Sequence, residues 1–201
     1  MFFQKITSIF YYLFQFWYYK MIFGKIGYKT RIYGFLKIVK PQNIFLGKKV
    51  YIGKLTWLEA NPLTDTKNCS LTIDDNTYIG NFAHIFSTSN IYIGKKVLIA
   101  DKVYISDNLR SYQDINIPVI DQPIKQLKPV QIGSGSWIGE GVSIIGASVG
   151  RHSIIGANSV VTKDIPEYCI AVGTPAKIIK RYSFERNDWF KTNEKGDFIF
   201  D

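Results

Sequence analysis

The chain has 201 residues, 46% of them hydrophobic and 20% charged, and a formal charge of +9. That composition suits one globular domain and excludes collagen-like, disordered and disulfide-scaffold classes. With only Cys69, Cys169, His84 and His152 available, a zinc ribbon, a disulfide framework and a three-histidine metal site within one chain are also excluded, and a reducing compartment, the cytoplasm, is implied.

Residues 1–23 are rich in aromatic side chains. Phe3, Ile6, Phe10, Leu13 and Trp17 recur at helical spacing, which predicts a helix within 3–23. The run between Lys5 and Lys20 includes Thr7, Ser8 and Gln15 and falls short of the roughly 20 apolar residues that cross a bilayer. No small-residue cleavage site follows it. Two readings stand: a helix lying in a membrane surface, and a helix packed on its own domain or a sister subunit, the commoner fate of a large apolar face.

From Leu46 onward a period of six appears. Hexads begin at Leu46, Ile73, Ile79, Ile93, Ile99, Ile105, Ile132, Ile138, Val149 and Ile155. The first position is aliphatic, the second often Gly, and the fifth compact except at Leu109. Short strands turning a corner every six residues explain this: the first position fills an interior, the fifth fits near a corner, and Gly, Asn or Asp tolerates the backbone there. Stacked coils then bury one continuous column. A β-helix of parallel strands is expected over about residues 38–166. Residues 60–70 and 111–131 break the period, the second with Pro118, Pro123 and Pro129. An excursion that long in a compact domain is usually functional. No P-loop, dinucleotide fingerprint or helix-turn-helix occurs, so nucleotide hydrolysis and nucleic-acid binding are unsupported.

The strings Trp137-Ile138-Gly139, Ile155–Pro166 and Val172–Arg181 resemble the hexapeptide-repeat acyltransferases. The similarity is greatest to sugar O-acetyltransferases of surface-polysaccharide pathways, with galactoside, maltose and streptogramin acetyltransferases more distant. The resemblance implies an all-β, left-handed parallel β-helix over residues 36–182, preceded by a helical segment at 1–35 and followed by a C-terminal extension at 183–201. It implies a homotrimer whose 111–131 loop reaches a neighbour, with acetyl-CoA as co-substrate in grooves between subunits. A sugar or polysaccharide is the acceptor and no metal is required. The work would be done in the cytoplasm; whether residues 1–23 make peripheral membrane contact or pack on protein stays open between the two readings above.

Acetyl transfer needs a base, oxyanion donors and a CoA groove. Relatives carry a histidine after the segment matching Ile105-Ser106-Asp107; this chain has Asn108 and Arg110 there, and arginine is no base at neutral pH. His84, at the sixth position of its hexad and near Asn81, is the candidate base or a substrate partner, with Asp107 in reserve. Asn81, Asn108 and Arg110 are candidate acceptor contacts, the last by clamping an anionic sugar. On the CoA side the resemblance points to Trp137, Glu140, Ala157, Thr162, Lys163 and Lys177. His152 reads as a solvated surface residue. Two other functions stay open: an N-acetyltransferase acting on an amino sugar, and a non-catalytic β-helix that binds a glycan or partner.

Overall fold

The computed structural model describes residues 14–66 and 68–199. The chain winds into stacked triangular coils, each contributing one short strand to each of three parallel faces. Face A holds Lys25–Ile26, Ile44–Leu46, Ser70–Ile73, Asn90–Ile93 and Val130–Ile132. Face B holds Arg31–Ile32, Tyr51–Ile52, Tyr78–Ile79, Leu98–Ile99, Trp137–Ile138, Ile154–Ile155 and Cys169–Val172. Face C holds Phe35–Val39, Thr56–Ala60, His84–Ser87, Tyr104–Ser106, Ser143–Ile145 and Val160–Val161.

The hexad positions map onto this geometry. All ten first-position residues are buried, from Leu46 to Ile155. Nine of the ten fifth-position residues are buried too, Leu109 being the exception. The left-handed backbone falls at the fourth position, as at Lys49, Asn76, Lys96, Lys102 and Asn158. The second-position glycines have another cause: they lie where successive coils touch. A Cβ on Gly47 would stand 2.6 Å from the Asp75 amide nitrogen, and one on Gly80 would stand 2.5 Å from the Ala100 carbonyl carbon. No rotamer relieves a clash with backbone, so only glycine fits.

The stack starts at Lys25, ahead of the expected boundary at 36, because Lys25–Ile26 and Arg31–Ile32 pair in parallel with the coil above. Parallel pairing ends at Cys169–Val172; Lys177–Ser183 then runs antiparallel to it and Asp188–Lys191 pairs on outside. Of the expected N-terminal helix, the described part spans 14–22, and residues 3–13 lie outside the described residues. That helix packs on the first coil through Tyr19, Phe23 and Phe35, whose ring centroids lie 5.6–6.1 Å apart.

The hexad read from Ile105 to Arg110 is not a coil corner. After Ser106 the chain leaves the stack as a hairpin, Asn108–Arg110 against Ile124–Gln126, and returns at Val130. The 60–70 excursion leaves the same edge, between faces C and A. The two meet at Gln126, whose Oε1 accepts from the Thr64 hydroxyl at 2.8 Å and lies 2.9 Å from that of Thr88.

Candidate functional site

Face C carries an outward row in which Trp57, His84 and Tyr104 stand in register on successive coils. Parallel pairing forces these side chains to stack. The His84 ring lies 4.1 Å from that of Trp57 at an interplanar angle of 15°, and Tyr104 meets its edge at 5.2 Å. Lys37 caps the row, its Nζ 4.4 Å above the Trp57 ring. Phe86 and Glu59, two residues along their strands, sit on the same face and pair with each other across the ladder.

Glu59 is buried. Its carboxylate accepts from Trp57 Nε1 at 3.1 Å and Asn61 Nδ2 at 3.3 Å, so the charge is partnered as burial requires. His84 is half-buried, and desolvation pushes its imidazole pKa below the usual histidine value, against the upward pull of Glu59 and with the downward push of Lys37. The ring is therefore neutral at neutral pH. Its Nε2 is buried and has no hydrogen-bond partner. A buried polar atom left unpaired is rare. Here it is a ring nitrogen of a half-buried imidazole set on an aromatic platform.

The other expected acceptor residues lie elsewhere. Asn81 is at the corner between faces B and C, where its side chain and backbone join the coils: Oδ1 accepts from the Lys54 amide at 2.9 Å and Nδ2 donates to Asp101 at 3.1 Å. Asp107 is fully buried. Its carboxylate accepts from the amides of Thr88, Ser89 and Asn90, the hydroxyls of Ser87 and Thr88, and the side chain of Asn108, all within 2.8–3.1 Å. A group so fully engaged has no face for an acceptor proton, which argues against its reserve role as a base. Asn108 is buried and spans to the Phe86 carbonyl at 3.1 Å. Arg110 donates to the carbonyls of Ile120 and Gln122, both at 3.2 Å, and so pins the hairpin's own loop. Neither stands in the position of a substrate contact in the isolated chain.

The expected CoA residues gather in the last coils but around two edges of face C. Trp137 is half exposed on face B. Glu140 and Ala157 lie in successive turns of the corner between faces B and C, joined by the Asn158 amide donating to the Glu140 carbonyl at 2.8 Å. Glu140 pairs with Lys102 at 2.8 Å. The segment that carries Lys177 folds against this corner, with the Val160 amide on the Gly173 carbonyl and the Ala176 amide on the Val160 carbonyl. Lys177 is exposed and ion-paired with Glu194. Thr162 and Lys163 follow Val160–Val161 and are exposed at the opposite edge, beside Asp164, which is tied to Lys128. Within one chain these residues therefore fall into two separate groups and line no single groove.

Sequence reasoning missed Trp57, Glu59 and Lys37. The alternation Trp57-Leu58-Glu59 was the available signal, since residues two apart on a strand share a face. Hexad counting lost their register to His84 because the 60–70 excursion intervenes. Neither cysteine is a reactive thiol: burial pushes Cys69 up to about 11 and raises Cys169 as well. Among the described residues no cluster of three or more metal-ligating side chains occurs.

No protein-family model matches the chain. It is 38% identical over 136 residues to a Mycobacterium tuberculosis protein named as an acetyltransferase, Rv3034c, covering 67% of this chain and 43% of the relative. It is 37% identical over 124 residues to WbbJ of Escherichia coli, named for lipopolysaccharide biosynthesis O-acetyl transfer, covering 58% of this chain and 63% of that one. The chain thus spans roughly half the length of these relatives. Among solved structures, a hexapeptide-repeat acetyltransferase of Vibrio cholerae, VCA0836, superposes with a TM-score of 0.57 at 25% identity, covering 81% of this chain and 76% of its own. AntD, an N-acyltransferase of Bacillus cereus in complex with dTDP and 3-hydroxybutyryl-CoA, superposes with a TM-score of 0.70 at 19% identity, covering 86% and 90%. The left-handed β-helix fold that the resemblance implied is the one these neighbours share.

Proposed function

We propose that this chain, a member of the hexapeptide-repeat acyltransferases, moves an acetyl group from acetyl-CoA to a sugar hydroxyl in the assembly of a surface polysaccharide. The observation that carries this reading is His84: neutral, with Nε2 unpaired, on a platform of Trp57 and Tyr104 beside the buried Glu59. The names of the relatives support acetyl transfer, and that of WbbJ supports the polysaccharide setting.

The mechanism follows from the groups present. A pyranose ring has an apolar face that rests on an aromatic surface while its rim hydroxyls stay free for hydrogen bonds. The His84 imidazole takes the proton of the attacking hydroxyl as its oxygen bonds to the thioester carbonyl carbon. The tetrahedral oxyanion collapses, the carbon–sulfur bond breaks, and the imidazolium returns its proton to the leaving CoA sulfur. Glu59, close enough to raise the His84 pKa, stabilises the transient imidazolium.

The cofactor lies along Trp137, Glu140 and Ala157, with Lys177 approaching a phosphate and Thr162 and Lys163 contributing from the opposite edge. A homotrimer brings one copy's edge against another's, which joins the two groups and gives the 111–131 hairpin a neighbour. Ile115 and Ile120 at its tip are 94% and 77% exposed, as a loop awaiting a partner would be. Asn108 and Arg110 serve by holding that hairpin.

A second reading, N-acetylation of an amino sugar, is favoured by one finding: AntD is described with dTDP-4-amino-4,6-dideoxyglucose and CoA. Free-thiol release from acetyl-CoA, measured on a panel of neutral, anionic and amino sugars, separates the two. Release on hydroxyl acceptors alone supports the first reading and release on amino acceptors alone the second. CoA binding without release on any acceptor would leave a non-catalytic glycan-binding β-helix.

A further inference from the structure

The described helix at 14–22 has two apolar faces, and the domain uses only one. Tyr19, Ile22 and Phe23 pack on the first coil. Phe14, Trp17, Tyr18 and Met21, at the i, i+3, i+4, i+7 spacing of a second stripe, point away from it and are 82%, 62%, 51% and 77% exposed. Burial by its own domain therefore explains half of this helix and leaves the other half facing water.

Charge supplies the second observation. Residues 1–58 contain ten lysines and arginines and neither aspartate nor glutamate; residues 59–201 contain 15 cations against 16 acids. Residues 1–58 thus carry +10 and the remainder of the chain −1, and nine of those ten cations lie in the described helix and the first coils, at one end of the stack. In the described structure none of the cations at that end is in an ion pair. Several rest on rings instead: Lys20 on Trp17 at 5.2 Å, Lys29 on the exposed Tyr28 at 5.2 Å, and Lys37 on Trp57.

We infer that this end of the molecule docks onto a lipid surface bearing anionic headgroups, with Phe14, Trp17, Tyr18 and Met21 entering the interface. Aromatic rings beside lysines are what an interfacial site needs: the rings sit at headgroup depth and the ammonium groups reach the lipid phosphates. Weak apolar insertion and weak electrostatic attraction add to stable attachment when they act together. Among the described residues no helix is long and apolar enough to cross a membrane. A second copy is a poor occupant, because docking this end on its like would set cations against cations with no carboxylate in residues 1–58 between them. The inference does not depend on acyl transfer.

The test is co-sedimentation of the full-length protein with vesicles of phosphatidylcholine alone and of phosphatidylcholine mixed with phosphatidylglycerol. Binding should be found on the mixed vesicles, fall steeply with added salt, and be much weaker on the neutral ones. Trp17→Ser with Met21→Ser, both exposed in the fold, should reduce partitioning onto the mixed vesicles by about tenfold or more. Lys20→Gln, Lys25→Gln and Lys29→Gln together should weaken binding to the mixed vesicles and leave the neutral ones unchanged. Equal binding to both vesicle types, no binding to either, or full binding by the Trp17/Met21 variant would overturn the inference. So would a fall in the light-scattering mass of that variant, which would assign the stripe to a second copy. Thiol release in solution is expected to survive the variant, so failure here and failure of the acyl-transfer reading are separate results.

Discussion

Asp107→Asn separates a structural carboxylate from a catalytic one. In the native fold Oδ2 accepts from the Ser89 and Asn90 amides and the Ser87 hydroxyl, while Oδ1 accepts from the Thr88 amide and hydroxyl and the Asn108 side chain. An asparagine has one acceptor oxygen. Placed at the Oδ2 position it keeps three partners, and its NH2 group then faces the Thr88 amide and the Asn108 amide. The Thr88 hydroxyl adapts, because it can donate to Gln126 at 2.9 Å instead. Two buried donors lose their acceptor, at about 1–3 kcal/mol each. For a chain of this size that destabilisation lowers Tm on the order of 10 °C. Calorimetry should find it, while thiol release per folded molecule, measured well below the variant's Tm, stays close to the wild-type value. A Tm unchanged within a degree or two together with a hundredfold loss of turnover would refute the reasoning and return Asp107 to the catalytic step.

The remaining predictions concern pH, the cofactor and assembly. Because the folded His84 pKa lies below the unfolded value, the unfolded chain takes up the proton first; His84 should leave stability unaffected above about pH 6.5 and reduce it as pH falls from there through its lower folded pKa. The acid limb of activity should accordingly lie below pH 6.5, and a limb above it would contradict a desolvated imidazole base. Lys177→Ala should weaken CoA binding by about 0.5–1.5 kcal/mol and leave pantetheine binding alone, by titration calorimetry; equal weakening of both would remove Lys177 from the phosphates. Light scattering should give three times the 23.0 kDa chain mass, and Ile115→Ser with Ile120→Ser should shift that mass toward the monomer. A wild-type monomer at micromolar concentration would contradict the shared site.

How much of this was legible in the sequence depended on which force fixed each feature. The interior column was fully legible because one physical demand, an aliphatic group every six residues, repeats without regard to what surrounds it. The start of the stack obeys the same demand and was open to the same count: Ile26-Gly27-Tyr28-Lys29-Thr30-Arg31 is a hexad that runs into Ile32, with Lys29 left-handed at its fourth position and Thr30 buried at its fifth. Asn108 and Arg110 looked like substrate contacts because they occupy the positions where relatives carry a histidine; the structure turns the chain out at Asp107, where three backbone amides of the preceding coil converge. Asp107 itself shows the limit of reading chemistry from residue type: a carboxylate near a candidate site is as apt to cap a turn as to move a proton. His84 was found by scarcity. Its environment of Trp57, Glu59 and Lys37 lay hidden behind an excursion of unknown geometry.

The central claim is that His84 takes the acceptor proton on a face-C platform, and one comparison tests it most directly: turnover of wild type and His84→Ala on the same acceptor, read as free thiol, beside their CoA affinities. The expected result is a fall in turnover of about 10²–10⁴-fold, the usual contribution of a positioned base, with CoA affinity unchanged. Turnover retained within a fewfold of wild type would contradict the claim and place the base elsewhere in the molecule.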